Sequence, residues 1–282
     1  MNKMNISIIG TGLIGGSIAM AIRGFNTKII GVDNNEENLK TALELGIIDH
    51  AMDWQQAAMI SELIIVAIPV DAARALLPQI LDVISDNCVV VDMGSTKVGI
   101  CNNVRNHPRR AQYVASHPMA GTENSGPQAA FADLFKGKKT IICEQELSST
   151  FALNQAKLLY KIMGMTMLYM SPEEHDKHIA YVSHLTHVIA YALSITVLEI
   201  EKDEKKIFEM AGSGFDSTVR IAKSSTSMWT PILQQNADYL IASIDKYMET
   251  LCDFKKAIAN NDSSRLFELI DEANKIRKVL NT

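Results

Sequence analysis

The sequence predicts a doubly wound, parallel α/β sheet over residues 1–170, followed by an all-helical region over residues 171–282. Three observations predict it. Short apolar runs alternate with helical stretches up to about Met170, and that alternation builds a parallel sheet covered on both faces. The runs themselves are almost continuously apolar, as strands buried on both faces must be. From Ser171 onward the strand signals stop and long stretches of helical periodicity replace them.

The elements follow in order. Asn5–Ile9 reads as a buried strand, and Gly15 to about Arg23 as a helix. Lys28–Val32 is a second strand ending at Asp33, and Glu36–Leu45 a helix stopped at Gly46. Leu63–Ile68 is a strand stopped by Pro69, Ala72–Ile84 a helix and Cys88–Asp92 a strand. Gln112–Ser116 and Lys139–Cys143 are two more strands. Ser171-Pro172-Glu173-Glu174 then starts a helix with a cap, a proline in the first turn and acids at the positive end of the dipole. Helical periodicity continues over His175–Glu199, Glu204–Met210, Met228–Ala259 and Ser263–Leu280, with breaks at Ala211–Phe215 and Ser224–Ser227.

Composition narrows the function classes. The chain has 282 residues, 47% of them hydrophobic, which is ample for a core. Its formal net charge of -5 makes it a poor candidate for nonspecific binding to nucleic acid or a membrane surface. No uninterrupted run of 18 apolar residues is present, so no membrane span is expected. Cys88, Cys101, Cys143 and Cys252 fit no CxxC or zinc spacing. They read as reduced thiols of a cytoplasmic protein.

Gly10-Thr11-Gly12-Leu13-Ile14-Gly15 fits GxGxxG. The pattern alone is weak, but here it follows a predicted strand and opens a predicted helix, as a Rossmann-like dinucleotide site requires. Gly10 permits the tight turn, Gly12 the approach of a pyrophosphate, and Gly15 close helix packing. Asp33 ends the second strand, where an acid bonds a ribose 2′-hydroxyl. Asn34 and Asn35 follow, with no arginine to meet a 2′-phosphate, which favours NAD over NADP.

Two polar loops follow predicted strands, Gly94-Ser95-Thr96-Lys97 and the Ser116-His117-Pro118-Met119-Ala120-Gly121-Thr122-Glu123 segment. Loops at strand C-termini line the ligand crevice of open α/β sheets, where a histidine can take a proton from a substrate hydroxyl. The helical region adds His175, Ser183, His184 and His187. His184 and His187 share a helix face, but HExxH is absent and no carboxylate or cysteine completes a zinc set, so no metal is expected.

Taken together, GTGLIGGS, GSTK, SHPMAGTE, the HDxxxxxxSHLTH stretch and GSGFDSTVRIAKSSTSMW resemble the prephenate/arogenate dehydrogenase family, in the family's order and over essentially the whole chain. The resemblance implies an NAD-binding Rossmann-like domain and a helical domain through which two copies form a homodimer. It implies prephenate or arogenate as the small-molecule substrate, in tyrosine biosynthesis. His117 matches the catalytic histidine that bonds the substrate's ring hydroxyl, and Ser95 the serine that orients the same region. Arg220 matches the arginine that binds a substrate carboxylate, for which a guanidinium fork is suited. His175, Ser183 and His187 match further pocket positions, and Thr122, Glu123 and Trp229 match the pocket edge. Two other readings stay open. A β-hydroxyacid dehydrogenase also joins a Rossmann domain to a helical one, and a non-catalytic NAD-binding regulator would keep the glycine fingerprint.

Overall fold

The computed structural model describes residues 4–203 and 206–280. These form two compact units, one running to Asn236 and the other starting at Ala237.

In the first unit the apolar runs become β1 (Met4–Ile9), β2 (Thr27–Val32), β3 (His50–Ala51), β4 (Leu63–Val66), β5 (Val89–Asp92), β6 (Tyr113–Pro118), β7 (Lys139–Cys143) and β8 (Thr166–Met170). They make one sheet in the order β3-β2-β1-β4-β5-β6-β7-β8. Neighbours pair in parallel, except β6 with β7. The segment between those two strands holds short 3-10 turns and no crossover α-helix, so the chain returns antiparallel. The order reverses between β1 and β4, which opens a crevice at the carboxyl ends of the central strands.

The helices of this part are α1 (Leu13–Ile22), α2 (Glu36–Glu44), α3 (Trp54–Ile60), α4 (Val70–Val83), α5 (Val98–Val104) and α6 (Thr150–Ile162). Strand residues alternate between two cores, as the pleat dictates. Ile8, Ile29, Ile65 and Val91 pack with Ile18, Phe135 and Tyr160. Ile9, Ile30, Ile64 and Val90 pack with Leu77, Ile80 and Tyr113. The sequence reading omits β3, β8, α3, α5 and α6. β3 has two residues and α3 and α5 have seven each, too short for periodicity to register. β8 is at most partly buried, so it lacks a continuous apolar run. For α6 a signal was present, since Ser149 caps it by accepting from Ala152 N.

The chain continues through α7 (Pro172–Ile179), started by a capping box of Ser171 and Glu174. A π-helical turn, Ala180–His184, leads into α8 (Leu185–Asp203). After Ile207–Met210 come α9 (Ser213–Val219) and α10 (Thr226–Gln235). Residues 204 and 205, which open the predicted Glu204–Met210 segment, lie outside the described residues. α9 begins inside the predicted break at Ala211–Phe215. Residues 171–236 belong to the same compact unit as the sheet. Two contacts explain this: Trp229 and Ile232 of α10 pack on Val70 of α4, and Asp176 of α7 accepts hydrogen bonds from Lys97 N and Val98 N at the start of α5.

Pro172–Lys202 is long and apolar enough, by length and composition alone, to cross a membrane, with only 11% of its most apolar window buried. No uninterrupted apolar run marks it, because His184, His187 and Ser194 break the stretch.

The second unit consists of α11 (Ala237–Ala259), α12 (Ser263–Asn274) and α13 (Arg277–Leu280). Asn261 turns the chain at φ +50°, and Asp262 caps α12 by accepting from Arg265 N. Ile241, Met248, Leu251, Ile258, Phe267 and Ile270 are all exposed apolar side chains of these helices.

Candidate active site

The carboxyl ends of β1, β4, β5 and β6 meet the helical segments 183–187 and 220–232 around a cavity of about 560 Å³. Each strand end contributes a short segment: Gly12–Ile14 after β1, Ala67–Pro69 after β4, Met93–Ser95 after β5, and His117–Pro118 of β6 itself. Of the residues predicted from sequence, the structure brings Gly12, Leu13, Ile14, Ser95, His117, Thr122, Glu123, Ser183, His187, Arg220 and Trp229 to this one cavity. Gly10, Thr11, Gly15, Asp33 and His175 do not line it.

The glycine loop shows why the first four of these stand back. Gly10 has φ +95°, and a Cβ there would lie 2.3 Å from Ala67 O. A Cβ on Gly15 would lie 1.9 Å from Gly10 O. Gly12 differs, with nothing within 4 Å of its Cβ position. Thr11 is buried and ties the loop to β2, since its N and Oγ1 both donate to Asp33 Oδ2, at 2.9 and 3.0 Å. Asp33 Oδ1 accepts from Asn35 N at 2.9 Å and, at the longer distance of 3.5 Å, from Asn38 Nδ2.

His117 is the penultimate residue of β6, paired with Ile141 of β7, rather than part of the loop beyond. Strand pairing therefore fixes its backbone. Its Nδ1 lies 2.8 Å from His175 Nε2, and His175 Nδ1 lies 2.7 Å from Asp176 Oδ1. His175 and Asp176 are almost wholly buried. Burial first, then the nearby His175, Lys97 and His184, holds the His117 pKa well below the usual 6.5. Burial also lowers His175, while Asp176 works against it.

Beneath His117, Lys97 Nζ pairs with Asp92 and donates to Ser116 O at 2.6 Å. Asp92 Oδ1 accepts from Tyr113 Oη at 2.7 Å and Ser116 N at 3.1 Å. Every side chain of this network is buried. Removing one partner of such a pair strands a buried charge, at a cost of about 3–5 kcal/mol, so the network pins the GSTK loop to the SHP strand.

On the helical side, His187 stacks on Trp229 at a centroid distance of 3.5 Å. Its Nδ1 lies 3.0 Å from Ser183 O. A carbonyl only accepts, so the proton sits on Nδ1. Burial lowers the pKa of His187 and pushes His184 down to about 4. Asn236 Nδ2 donates to Asp176 O and lies 3.0 Å from His184 Nδ1, and His184 meets Trp229 edge-on. At the rim, Arg220 Nη1 donates to Glu123 Oε2 at 2.6 Å, and both side chains are partly exposed.

Sequence reasoning missed Asp176, Asp92 and the structural part of Lys97. It also missed Lys138, an exposed cation that lines the cavity from the turn before β7. The HD pair at 175–176 was visible, but Asp176 and Lys97 lie 79 residues apart and nothing local links them.

Residues 18–169 match the family described as "Prephenate dehydrogenase, nucleotide-binding domain", and residues 171–272 match "Prephenate dehydrogenase, dimerization domain". The chain is 32% identical to a prephenate dehydrogenase of Bacillus subtilis, over 98% of this chain and 76% of that one. It is 31% identical to a cyclohexadienyl dehydrogenase of Zymomonas mobilis, over 99% and 96%. Among solved structures, it resembles prephenate dehydrogenase from A. aeolicus, in complex with hydroxyphenyl propionate and NAD+, with a TM-score of 0.89, 31% identity and 99% coverage of both chains. On its sequence and its fold alike, this chain belongs to the prephenate dehydrogenase family.

Proposed function

We propose that the chain oxidises and decarboxylates prephenate: prephenate + NAD⁺ → 4-hydroxyphenylpyruvate + CO₂ + NADH, a step toward tyrosine. The carrying observation is the convergence of His117, Ser95, Ser183, His187 and Arg220 on one cavity beside the glycine loop. The A. aeolicus relative, solved with NAD+ and a hydroxylated aromatic acid, supports the same reading.

The residues present suit NAD. The open space at Gly12, beside an α1 start with no side-chain cap, leaves room and main-chain donors for a pyrophosphate. Gly10 and Gly15 keep the loop close to the sheet, and Thr11 holds Asp33 toward a ribose hydroxyl. NAD held there would supply the acceptor for the hydride of ring C4. His117, neutral near pH 7, accepts the C4 hydroxyl proton and returns it to the phenolate oxygen once CO₂ has left. Ser95 orients the hydroxyl region. Arg220 takes a substrate carboxylate in exchange for Glu123, while His175 backs His117 and Ser183, His187, Thr122 and Trp229 shape the remaining wall. These residues orient the substrate and polarise its hydroxyl, and aromatisation drives the rest.

The Zymomonas relative favours a second reading, a dual cyclohexadienyl dehydrogenase that also accepts arogenate. NADH formation, followed by absorbance with prephenate and with arogenate, each with NAD and with NADP, separates the two. Turnover of prephenate with NAD is expected; no turnover of either substrate would sink the assignment.

For assembly we keep the boundary at residues 170/171 and a homodimer through 171–282, supported by the dimerization-domain match and the exposed apolar side chains of α8, α11 and α12. Light scattering should give twice the 31.1 kDa chain mass; a fully active monomer would contradict it. Unpaired Cys88, Cys101, Cys143 and Cys252 favour a reducing compartment, the cytoplasm.

A further inference from the structure

We infer that Asp176 and His175 are positioning residues that fix the tautomer of His117 and support its charge; the inference rests on the reading of His117 as proton acceptor. The hydrogen bonds dictate the order of protons. Asp176 Oδ1 accepts from Lys97 N at 2.7 Å and Oδ2 accepts from Val98 N at 2.8 Å. Main-chain N–H groups only donate, so both oxygens act as acceptors, and a carboxylate is the form that serves them. The third bond at Asp176 is then the His175 Nδ1–H donating to Oδ1, at 2.7 Å.

With its proton on Nδ1, neutral His175 offers only a lone pair at Nε2. His117 Nδ1, 2.8 Å away, must therefore carry the proton of that bond and donate it. A neutral imidazole holds one N–H. His117 Nε2 is thus left as a lone pair, on a ring that lines the cavity. The opposite tautomer would present an N–H to the substrate hydroxyl and could not take its proton. When His117 accepts that proton at Nε2, the resulting imidazolium still donates Nδ1–H to His175, which Asp176 polarises. No second proton needs to move.

The surroundings make this support necessary. Lys97 and His184 bear on His117, and Lys97, Asp92 and Asp176 bear on His175. From the cavity side come Glu123, Lys138, Arg220 and His187. Lys97 is already paired with Asp92. Asp176 is the carboxylate joined to the histidine pair by a hydrogen bond, so its charge is the one that reaches an imidazolium at His117 through that chain.

The test compares Asp176→Asn and His175→Gln with the wild type, reading kcat, KM and the pH profile of kcat with prephenate. Gln keeps an acceptor for His117 Nδ1–H but transmits little of the Asp176 charge. Each variant should lose about tenfold to a thousandfold in kcat, with KM for prephenate and Kd for NAD nearly unchanged. The double variant should be no worse than the poorer single. In Asp176→Asn the acid limb of kcat should move to lower pH, since the imidazolium has lost its support. A merely structural role would lower Tm and raise KM without moving that limb. If Asp176→Asn fails to fold, because two main-chain donors lose their acceptor, His175→Gln decides alone. Wild-type kcat in folded His175→Gln, or an unmoved limb in folded Asp176→Asn, overturns the inference. Full activity in His117→Asn would instead overturn the reading beneath it.

Discussion

At the scale of single residues, the proposed reaction divides the site into groups that would meet the substrate and groups that would aim them. Arg220 is of the first kind. Its side chain is 51% exposed and already paired with Glu123, so in the proposed reading a substrate carboxylate would replace one partner with another rather than fill an empty site. Solvent screens such a pair, and the gain is modest. Arg220→Ala should raise KM for prephenate by roughly tenfold, equivalent to about 1.4 kcal/mol, with kcat less affected. Lysine should restore part of it, lacking the planar fork. An unchanged KM in the alanine variant would move the carboxylate site elsewhere, with Lys138 the next cation on the wall. The cavity-lining residues were legible because they sit in short motifs. The aiming residues were not. Asp92, Lys97 and Asp176 acquire their meaning from partners far along the chain, and a buried ion pair looks like ordinary surface charge in a sequence.

At the scale of elements, the β1–α1 turn sets where a cofactor can lie. Its glycines do different work, and the difference can be measured. A Cβ at Gly15 would strike Gly10 O, a backbone atom that cannot step aside. Gly15→Ala should therefore cost about 1–3 kcal/mol, a fall in Tm of several degrees, together with weaker NAD binding. Gly12→Ala meets no neighbour and should leave Tm unchanged while raising Kd for NAD at least tenfold, because the methyl group occupies the space of the pyrophosphate. Equal effects of the two substitutions on Tm, or unimpaired NAD binding by Gly12→Ala, would contradict this division. The main strands and helices were readable from periodicity. β3, α3 and α5 were too short for it, and the antiparallel return from β6 to β7 follows from a connection without a helix, which strand composition does not reveal.

At the scale of the molecule, four histidines are held below their ordinary pKa chiefly by burial: His117, His175, His184 and His187. Unfolded, each takes up its proton near 6.5; folded, each does so only at lower pH. The unfolded chain thus binds more protons below about pH 6.5, and stability falls as pH falls. The slope approaches ~1.4 kcal/mol per pH unit for each fully buried histidine, and His187, only partly buried, contributes least. The loss continues down to the folded-state values, about 4 for His184. Tm should drop steadily between about pH 7 and pH 5; a flat Tm across that interval would mean that these rings are protonated in the fold. The two-part organisation was legible at this scale, from the point where strand signals stop. That residues 171–236 join the sheet's compact unit was not, because it depends on Asp176 and Trp229 meeting partners across the chain.

In the proposed reaction His117 takes the hydroxyl proton as hydride leaves. The most direct test of this step is kcat against pH for the wild type, His117→Ala and His117→Asn, with prephenate and saturating NAD. An interaction that strengthens in the transition state lowers kcat when removed and leaves KM nearly alone. His117→Ala should lose ~10²–10⁴-fold in kcat. The wild-type profile should fall on an acid limb lying below the ordinary histidine value of 6.5, because burial holds the ring neutral. That limb should be absent from the residual activity of His117→Asn. Wild-type kcat in His117→Ala, or an acid limb that persists unchanged in His117→Asn, would contradict the account.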